Sequence, residues 1–288
     1  MVKNKQKTRK PFIGFIGQGY IGKNYANDFE KRGFKVVRYA AEKEFVSNKE
    51  KIKTCDIVFI AVPTPTTPKG FDGSIVRDVV SLVGQGKIAV IKSTVLPETT
   101  KRLQKENPKI IILHSPEFLS SATAGYDAGH PTRNIIGIPN TTPKFKNAAK
   151  LVLSVLPKAP FSLIMSSSES ELVKYAGNCF YYLKVVYVNI LYDLSKNLGV
   201  PWEHIRNAMA HDPWIGGMHL EPVYKGGRGA GGHCFIKDFK AFSDFYKKEL
   251  NDKIGTGLLQ AVEAKNLDLL KQSHKNLDIL KGVYGDIV

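Results

Sequence analysis

The most constraining feature of this chain is a strand, a glycine turn, a helix and a second strand in immediate succession. Phe12-Ile13-Gly14-Phe15-Ile16 is a short apolar run that ends at Gly17-Gln18-Gly19-Tyr20-Ile21-Gly22. A helix-like segment follows to about residue 31, then a turn at Gly33 and a second apolar run over 34–39. In that setting Gly-x-Gly-x-x-Gly opens a parallel α/β sheet around a phosphate-binding turn. The first glycine permits the tight turn, the second lets a pyrophosphate approach, and the third lets the helix pack against the strand. The helix N-terminus then faces the anion. A glycine-rich βα turn without a ligand is the alternative that the pattern alone leaves open.

Further apolar runs occur at 57–62, 88–91, 110–113 and 134–138. The first three are nearly unbroken, as expected of parallel strands buried on both faces. They run into Pro63-Thr64-Pro65-Thr66, Lys92-Ser93-Thr94 and His114-Ser115-Pro116-Glu117-Phe118. Ligands of a doubly wound sheet bind beyond the carboxyl ends of its strands, which makes these hydroxyl-rich segments the candidate site. The character changes near Ser166. Ser168-Glu169-Ser170-Glu171 is a capping signal, and a long helical segment follows to about residue 197, ended by Leu198-Gly199-Val200-Pro201. It is apolar on several sides, as a helix in a core or an interface is. Residues 202–210 read as another helix and 211–232 as loop. Helices are expected again from about residue 239 and over 257–281. The fold class is therefore α/β. An N-terminal Rossmann-like doubly wound parallel sheet over 1–165 precedes an all-helical central domain with a long helix over 166–288.

A second glycine-rich run is Gly226-Gly227-Arg228-Gly229-Ala230-Gly231-Gly232-His233-Cys234-Phe235-Ile236-Lys237-Asp238. Its glycines remove side chains, so that a large polar ligand can approach the backbone. The Lys237 ammonium would favour the thiolate of Cys234. On this stretch alone a nucleophile and a buried structural cysteine fit equally well. The three cysteines, Cys55, Cys179 and Cys234, are far apart and form no Cys-x-x-Cys pair, so no metal site and a reducing, cytoplasmic setting are expected. No apolar run approaches the ~20 residues of a membrane-spanning helix. The basic first ten residues lead into an apolar run too short for a secretory signal. The net charge of +16 is spread along the chain. A polyanionic small ligand accounts for it as well as a nucleic acid does, and no nucleic-acid-binding motif is present, so nucleic acid is not expected as a partner.

Seven runs in order carry a resemblance: 17–22, Val62-Pro63-Thr64-Pro65-Thr66, Lys92-Ser93-Thr94-Val95, Ser115-Pro116-Glu117-Phe118-Leu119, Glu171-Leu172-Val173-Lys174-Tyr175-Ala176-Gly177-Asn178, Asp212-Pro213-Trp214-Ile215-Gly216 and 231–238. With them the chain resembles the nucleotide-sugar dehydrogenases of the UDP-glucose/GDP-mannose dehydrogenase family over about residues 12–270. The resemblance implies NAD as cofactor and a four-electron oxidation at C6 of a nucleotide sugar, with UDP-glucose to UDP-glucuronate the expected reaction. It implies that Cys234 attacks the aldehyde, giving a thiohemiacetal and then a thioester that water hydrolyses. Lys174 and Asn178 would stabilise the oxyanion, Asp238 and Thr94 would position the water, and Glu117 would assist proton transfer. By the same match Gly17, Gly19, Tyr20, Ile21, Gly22, Arg38, Pro63, Thr64, Ser93, Thr94 and Lys237 would contact the cofactor. Glu117, Phe118, Leu119, Lys174, Asn178, His219, Arg228 and Gly231 would contact the substrate. Each residue singly has a plainer reading: Lys174 as a surface lysine, Asn178 as a helix-face amide, Glu117 as a solvated loop acid.

The chain also departs from the family. The family's third, nucleotide-binding domain would begin near residue 288, which implies a substrate site that is incomplete, completed by another chain, or used for a smaller ligand. The acid that ends the second strand falls near Ala40, with Arg38 beside it, which leaves room for NADP. Ile236 stands for a proline, Trp214 for an arginine, and Ser121 for a second acid. Two other readings follow: a shortened homologue that binds nucleotide without turnover, and a two-domain hydroxyacid dehydrogenase that uses a lysine. A homodimer through the long helix, with Phe180, Leu183, Val186, Ile190 and Leu191, is a further expectation.

Overall fold

The structure is a computed structural model that describes residues 9–120 and 122–286. Most of the basic N-terminal stretch and Ser121 lie outside the described residues. In chain order the elements begin β1 (Ile13–Ile16), α1 (Tyr20–Lys31), β2 (Val36–Tyr39), α2 (Lys49–Ile52) and β3 (Ile57–Ile60). A hairpin of β4 (Thr66–Thr67) and β5 (Gly70–Phe71) leads to α3 (Ser74–Val80), β6 (Ile88–Ile91), α4 (Thr99–Glu106) and β7 (Ile111–His114). Then come α5 (Ala124–Gly129), β8 (Arg133–Ile138), α6 (Pro143–Val155), β9 (Phe161–Ser166), α7 (Ser167–Asn197) and α8 (Trp202–His211). A second hairpin, β10 (Val223–Tyr224) and β11 (Gly227–Arg228), precedes α9 (Gly232–Glu249), α10 (Lys253–Gln272) and α11 (Leu277–Tyr284). The described residues form two compact units. One runs up to Thr64 and over Gly73–Lys174; the other comprises Pro65–Asp72 and the chain from Tyr175 on.

The first unit holds a seven-stranded sheet in the order β2-β1-β3-β6-β7-β8-β9. The first five strands are parallel, with Ile16 level with Tyr39 and Ile60, Ile60 with Ile91, and Ile91 with His114. That register brings five strand ends to one edge, so Gly17, Ala61, Lys92 and Ser115 leave the sheet side by side. Strands β1, β3 and β6 are buried at every position, which is why they read as unbroken apolar runs. β8 pairs antiparallel with β7, so β8 and β9 run against the five strands that the sequence indicates as parallel. The core is built on Phe15, Phe29 and Phe59, whose rings lie 5.1–5.5 Å apart.

Helix α7 starts at a capping box two residues earlier than its sequence signal. Ser166 N–H donates to Glu169 Oε2 at 2.7 Å, and Glu169 N–H donates to Ser166 Oγ at 3.3 Å. In the second unit Tyr182 of α7 stacks on Phe239 of α9 at 3.9 Å, and Ile236, Leu270, Leu280 and Val283 form a core between α9, α10 and α11. Two helical expectations are corrected. Helix resumes at Gly232, not near 239, so Cys234 is helical. The helix expected over 257–281 is two helices, broken where His274 and Asn276 take left-handed backbone conformations (φ 53° and 56°).

Candidate functional site

The turn after β1 uses its three glycines differently. Gly17 has φ 90°, and a Cβ there would collide with the Ala61 carbonyl. A Cβ at Gly22 would collide with the Gly17 carbonyl, so this glycine lets α1 sit close to the turn. Gly19 caps α1 with φ −68° and has nothing within 4 Å of its Cβ position. Open space in front of a helix N-terminus is what a pyrophosphate requires. Ile21 packs inward on the apolar core, and the Tyr20 hydroxyl donates to the Ser120 carbonyl. Arg38 is clamped: Nη2 donates to Glu30 Oε2 and Asn27 Oδ1, each at 2.7 Å, and Nη1 donates to Gln18 Oε1 at 3.3 Å.

Ser93 ties two strand ends together. Its hydroxyl donates to the Val62 carbonyl at 2.7 Å and accepts from Val62 N–H at 3.0 Å. Pro63 is exposed, Thr64 is buried, and Thr94 is half-buried. Beyond β7, Glu117 and Lys174 form a buried ion pair at 2.8 Å, each 6 % exposed. The Lys174 ammonium also donates to the Glu117 carbonyl at 2.8 Å, and the other carboxylate oxygen accepts from Leu119 N–H at 2.7 Å. Phe118 lies under two cations, Arg133 at 3.8 Å and Lys174 at 5.8 Å from its ring centre. The plain readings of Lys174 as a surface lysine and Glu117 as a solvated acid are therefore overturned.

Lys92 went unassigned in the sequence. It is 2 % exposed, with its ammonium 4.1 Å above the Tyr25 ring and 3.3 Å from the Ser115 carbonyl. Burial pushes it down to about 8, against the pull of Glu117. Its position directly after the buried run Ile88-Ala89-Val90-Ile91 was the available signal.

In the second unit Cys234 is exposed in the first turn of α9. A helix N-terminus favours a thiolate there. The Lys237 ammonium, which the sequence pairs with the thiol, makes an ion pair with Asp238 at 2.5 Å. Asp238 is 1 % exposed and accepts from the Asn178 amide at 2.6 Å. The Lys237 carbonyl accepts from the Thr66 hydroxyl at 2.9 Å. Asn178, Asp238 and Lys237 are thus one chain of bonds.

His219 has φ 64° and stacks on Tyr181 at 4.8 Å, with Phe235 5.7 Å away. Burial, then the charge of Lys184, lowers its pKa. Arg228 turns to α7: it donates to Asn189 Oδ1 at 2.9 Å and pairs with Asp193 at 2.6 Å. A Cβ at Gly231 would strike Asn276 Oδ1, and at Gly227 it would lie 2.8 Å from Lys275 and Ser273. These two glycines make room for the chain's own side chains. Trp214 is 95 % exposed. Among the described residues no three His, Cys, Asp or Glu side chains gather as metal ligands, and no helix is long and apolar enough to cross a membrane.

Residues 38–153 match the NAD binding domain of the UDP-glucose/GDP-mannose dehydrogenase family, and residues 168–267 match its central domain. The chain is 31% identical over 232 residues to a putative UDP-glucose 6-dehydrogenase, YtcA, of Bacillus subtilis, covering 76% of this chain and 52% of that protein. It is 32% identical to a UDP-glucose 6-dehydrogenase of Pseudomonas aeruginosa, covering 75% of this chain and 49% of that one. The chain spans about half the length of these curated relatives. A solved UDP-glucose dehydrogenase of Pyrobaculum islandicum superposes with a TM-score of 0.77 at 28% identity, over 93% of this chain and 69% of that one. The chain belongs to the UDP-glucose/GDP-mannose dehydrogenase family, with an NAD-binding domain in its first unit and the family's central domain in its second.

Proposed function

We propose that this protein is an NAD-dependent nucleotide-sugar dehydrogenase that oxidises UDP-glucose to UDP-glucuronate by covalent capture on Cys234. The observation that carries the reading is an exposed cysteine at a helix N-terminus, with a buried carboxylate, Asp238, one turn along the same helix. The open position at Gly19 fits a dinucleotide pyrophosphate, and Gly17, Gly22 and the α1 N-terminus complete its cradle. When bound, NAD supplies a hydride acceptor for the sugar's C6.

The chain's own groups do the rest. The Cys234 sulfur adds to the aldehyde carbon, and the bound intermediate cannot escape as free aldehyde. Lys174 and Asn178 each offer N–H donors to the oxygen on which negative charge grows. Asp238, held by its ion pair with Lys237, takes a proton from the water that hydrolyses the thioester; Thr94 orients that water. Glu117 holds Lys174 and accepts protons from the substrate side. Charge-assisted bonds within the pair keep both groups in place.

A homodimer is part of the proposal. α7 leaves Leu172, Phe180, Tyr181, Tyr187, Ile190 and Leu194 exposed, at 37–63 %, whereas Val186 is buried. A second copy of the same face would cover them. Absorbance at 340 nm with UDP-glucose and NAD tests the activity. Two NADH per sugar is the expected yield; one per sugar removes the covalent route, and none removes the activity.

A further inference from the structure

The loop that delivers Cys234 is held by a segment beyond residue 267, where the family match ends. We propose that the turn between α10 and α11 is the positioning element of the cysteine, with Asn276 and Lys275 as positioning residues. The inference rests on the reading of Cys234 as the nucleophile.

The backbone groups of the loop find their partners in that turn and in α10 before it. Arg228 N–H donates to Ser273 Oγ at 2.9 Å. The Lys275 ammonium donates to the carbonyls of Gly227 at 3.3 Å and Gly229 at 2.9 Å. Ala230 exchanges both of its backbone bonds with the Asn266 amide, at 2.7 and 3.0 Å. Gly232 N–H, the first amide of α9, donates to Asn276 Oδ1 at 2.9 Å. First-turn amides have no partner inside their own helix, and a side-chain oxygen that satisfies one fixes where the helix begins. Asn276 supplies that oxygen from elsewhere in the chain. Its own carbonyl accepts from Leu280 N–H at 3.0 Å, so one residue starts α11 through its backbone and α9 through its side chain.

Two further observations agree. The glycines at 227, 229 and 231 stand where a Cβ would press on Lys275 and Ser273, on Asn266 and Leu269, and on Asn276. The loop thus lies close against the α10–α11 segment. Ile236, two residues after the cysteine, is 1 % exposed and packs with Leu270, Leu280 and Val283. The isoleucine at this family proline position thus serves the contact between α9 and α11.

The test reads the thiol without turnover. Cys55 and Cys179 are buried, so iodoacetamide alkylation of the folded protein reports Cys234. Asn276→Ala is expected to slow alkylation at pH 7 about fivefold and to move the midpoint of its pH profile upward, because a frayed first turn loses its hold on the thiolate. Asn276→Asp, which keeps an oxygen for Gly232 N–H, is expected to restore the rate. Lys275→Met, which keeps the stem and loses the ammonium, is the second variant should Asn276→Ala lower the melting temperature. Wild-type alkylation rates and pH midpoints in both Asn276→Ala and Lys275→Met overturn the proposal. A Cys234→Ser protein that still completes both oxidations overturns the nucleophile reading instead, whatever the alkylation rates.

Discussion

The two glycine-rich turns of this chain look alike as sequence and differ as structure. At the start of α1, Gly19 faces open space and its neighbours Gly17 and Gly22 press on backbone carbonyls. At the start of α9, Gly227 and Gly231 press on Lys275, Ser273 and Asn276. The first turn is shaped around room for a ligand, the second around the chain's own C-terminal helices. Glycine in a loop therefore signals close approach, and only the neighbouring atoms say what approaches. The buried acids are also held differently, within the first unit as well as between acids of the two. Asp238 and Glu117 each have an ammonium within 2.8 Å. Glu171 has none: one carboxylate oxygen accepts from Thr100 N–H and the Thr100 hydroxyl, and the other has no hydrogen-bond partner among the described residues.

The largest expected effect is in the second unit. Cys234→Ser should lower formation of the acid by about 10³-fold or more, because a nucleophile that acts with its neighbours is not replaced by them. Steady-state kinetics with a full melting curve checks this. The first unit's counterpart is Glu117→Gln, which leaves a buried ammonium without its charge partner. A loss of about 3–5 kcal/mol in urea unfolding is expected, together with loss of turnover. A melting temperature at the wild-type value would show that the pair is hydrated.

Glu171 sharpens the contrast between paired and unpaired acids. Burial raises its carboxyl to about 7. Its stabilising protonated form is present in full below the ordinary carboxylate range and is lost as pH rises through about 7. Urea unfolding from pH 5 to pH 8 should therefore show wild type losing up to about 3 kcal/mol relative to Glu171→Gln, which cannot ionise. Parallel curves for the two proteins would contradict the assignment. The smallest effects test the glycines directly. Gly19→Ala should leave unfolding unchanged and weaken NAD binding about tenfold, read by calorimetry. Gly229→Ala, at φ 84° with Asn266 2.9 Å from the new Cβ, should cost about 1–3 kcal/mol of stability and leave the NAD affinity unchanged.

The parallel strands and the first turn were legible because burial on both faces writes an unbroken apolar run. β9 was not: Phe161, Ser162 and Leu163 are exposed at the edge of the sheet, so no periodicity marks it. The ion pair of Glu117 and Lys174 was not legible: the family pattern names both residues without pairing them, and 57 residues separate them. Asn276 had no local signal at all. It reads as one more polar residue in a helical stretch, and its role depends on an amide 44 positions earlier. Cys234 stood out in the sequence, but its helical setting was hidden, because five glycines in the run before it mask the start of α9.

The most direct test is acid quench of the enzyme during turnover of UDP-glucose with NAD, followed by mass spectrometry of the intact chain and its peptides. A hydroxylamine-labile sugar–nucleotide acyl adduct is expected on the peptide that contains Cys234, absent in Cys234→Ser. Two NADH per sugar with no adduct at any quench time, and the same yield from Cys234→Ser, would contradict covalent capture on Cys234.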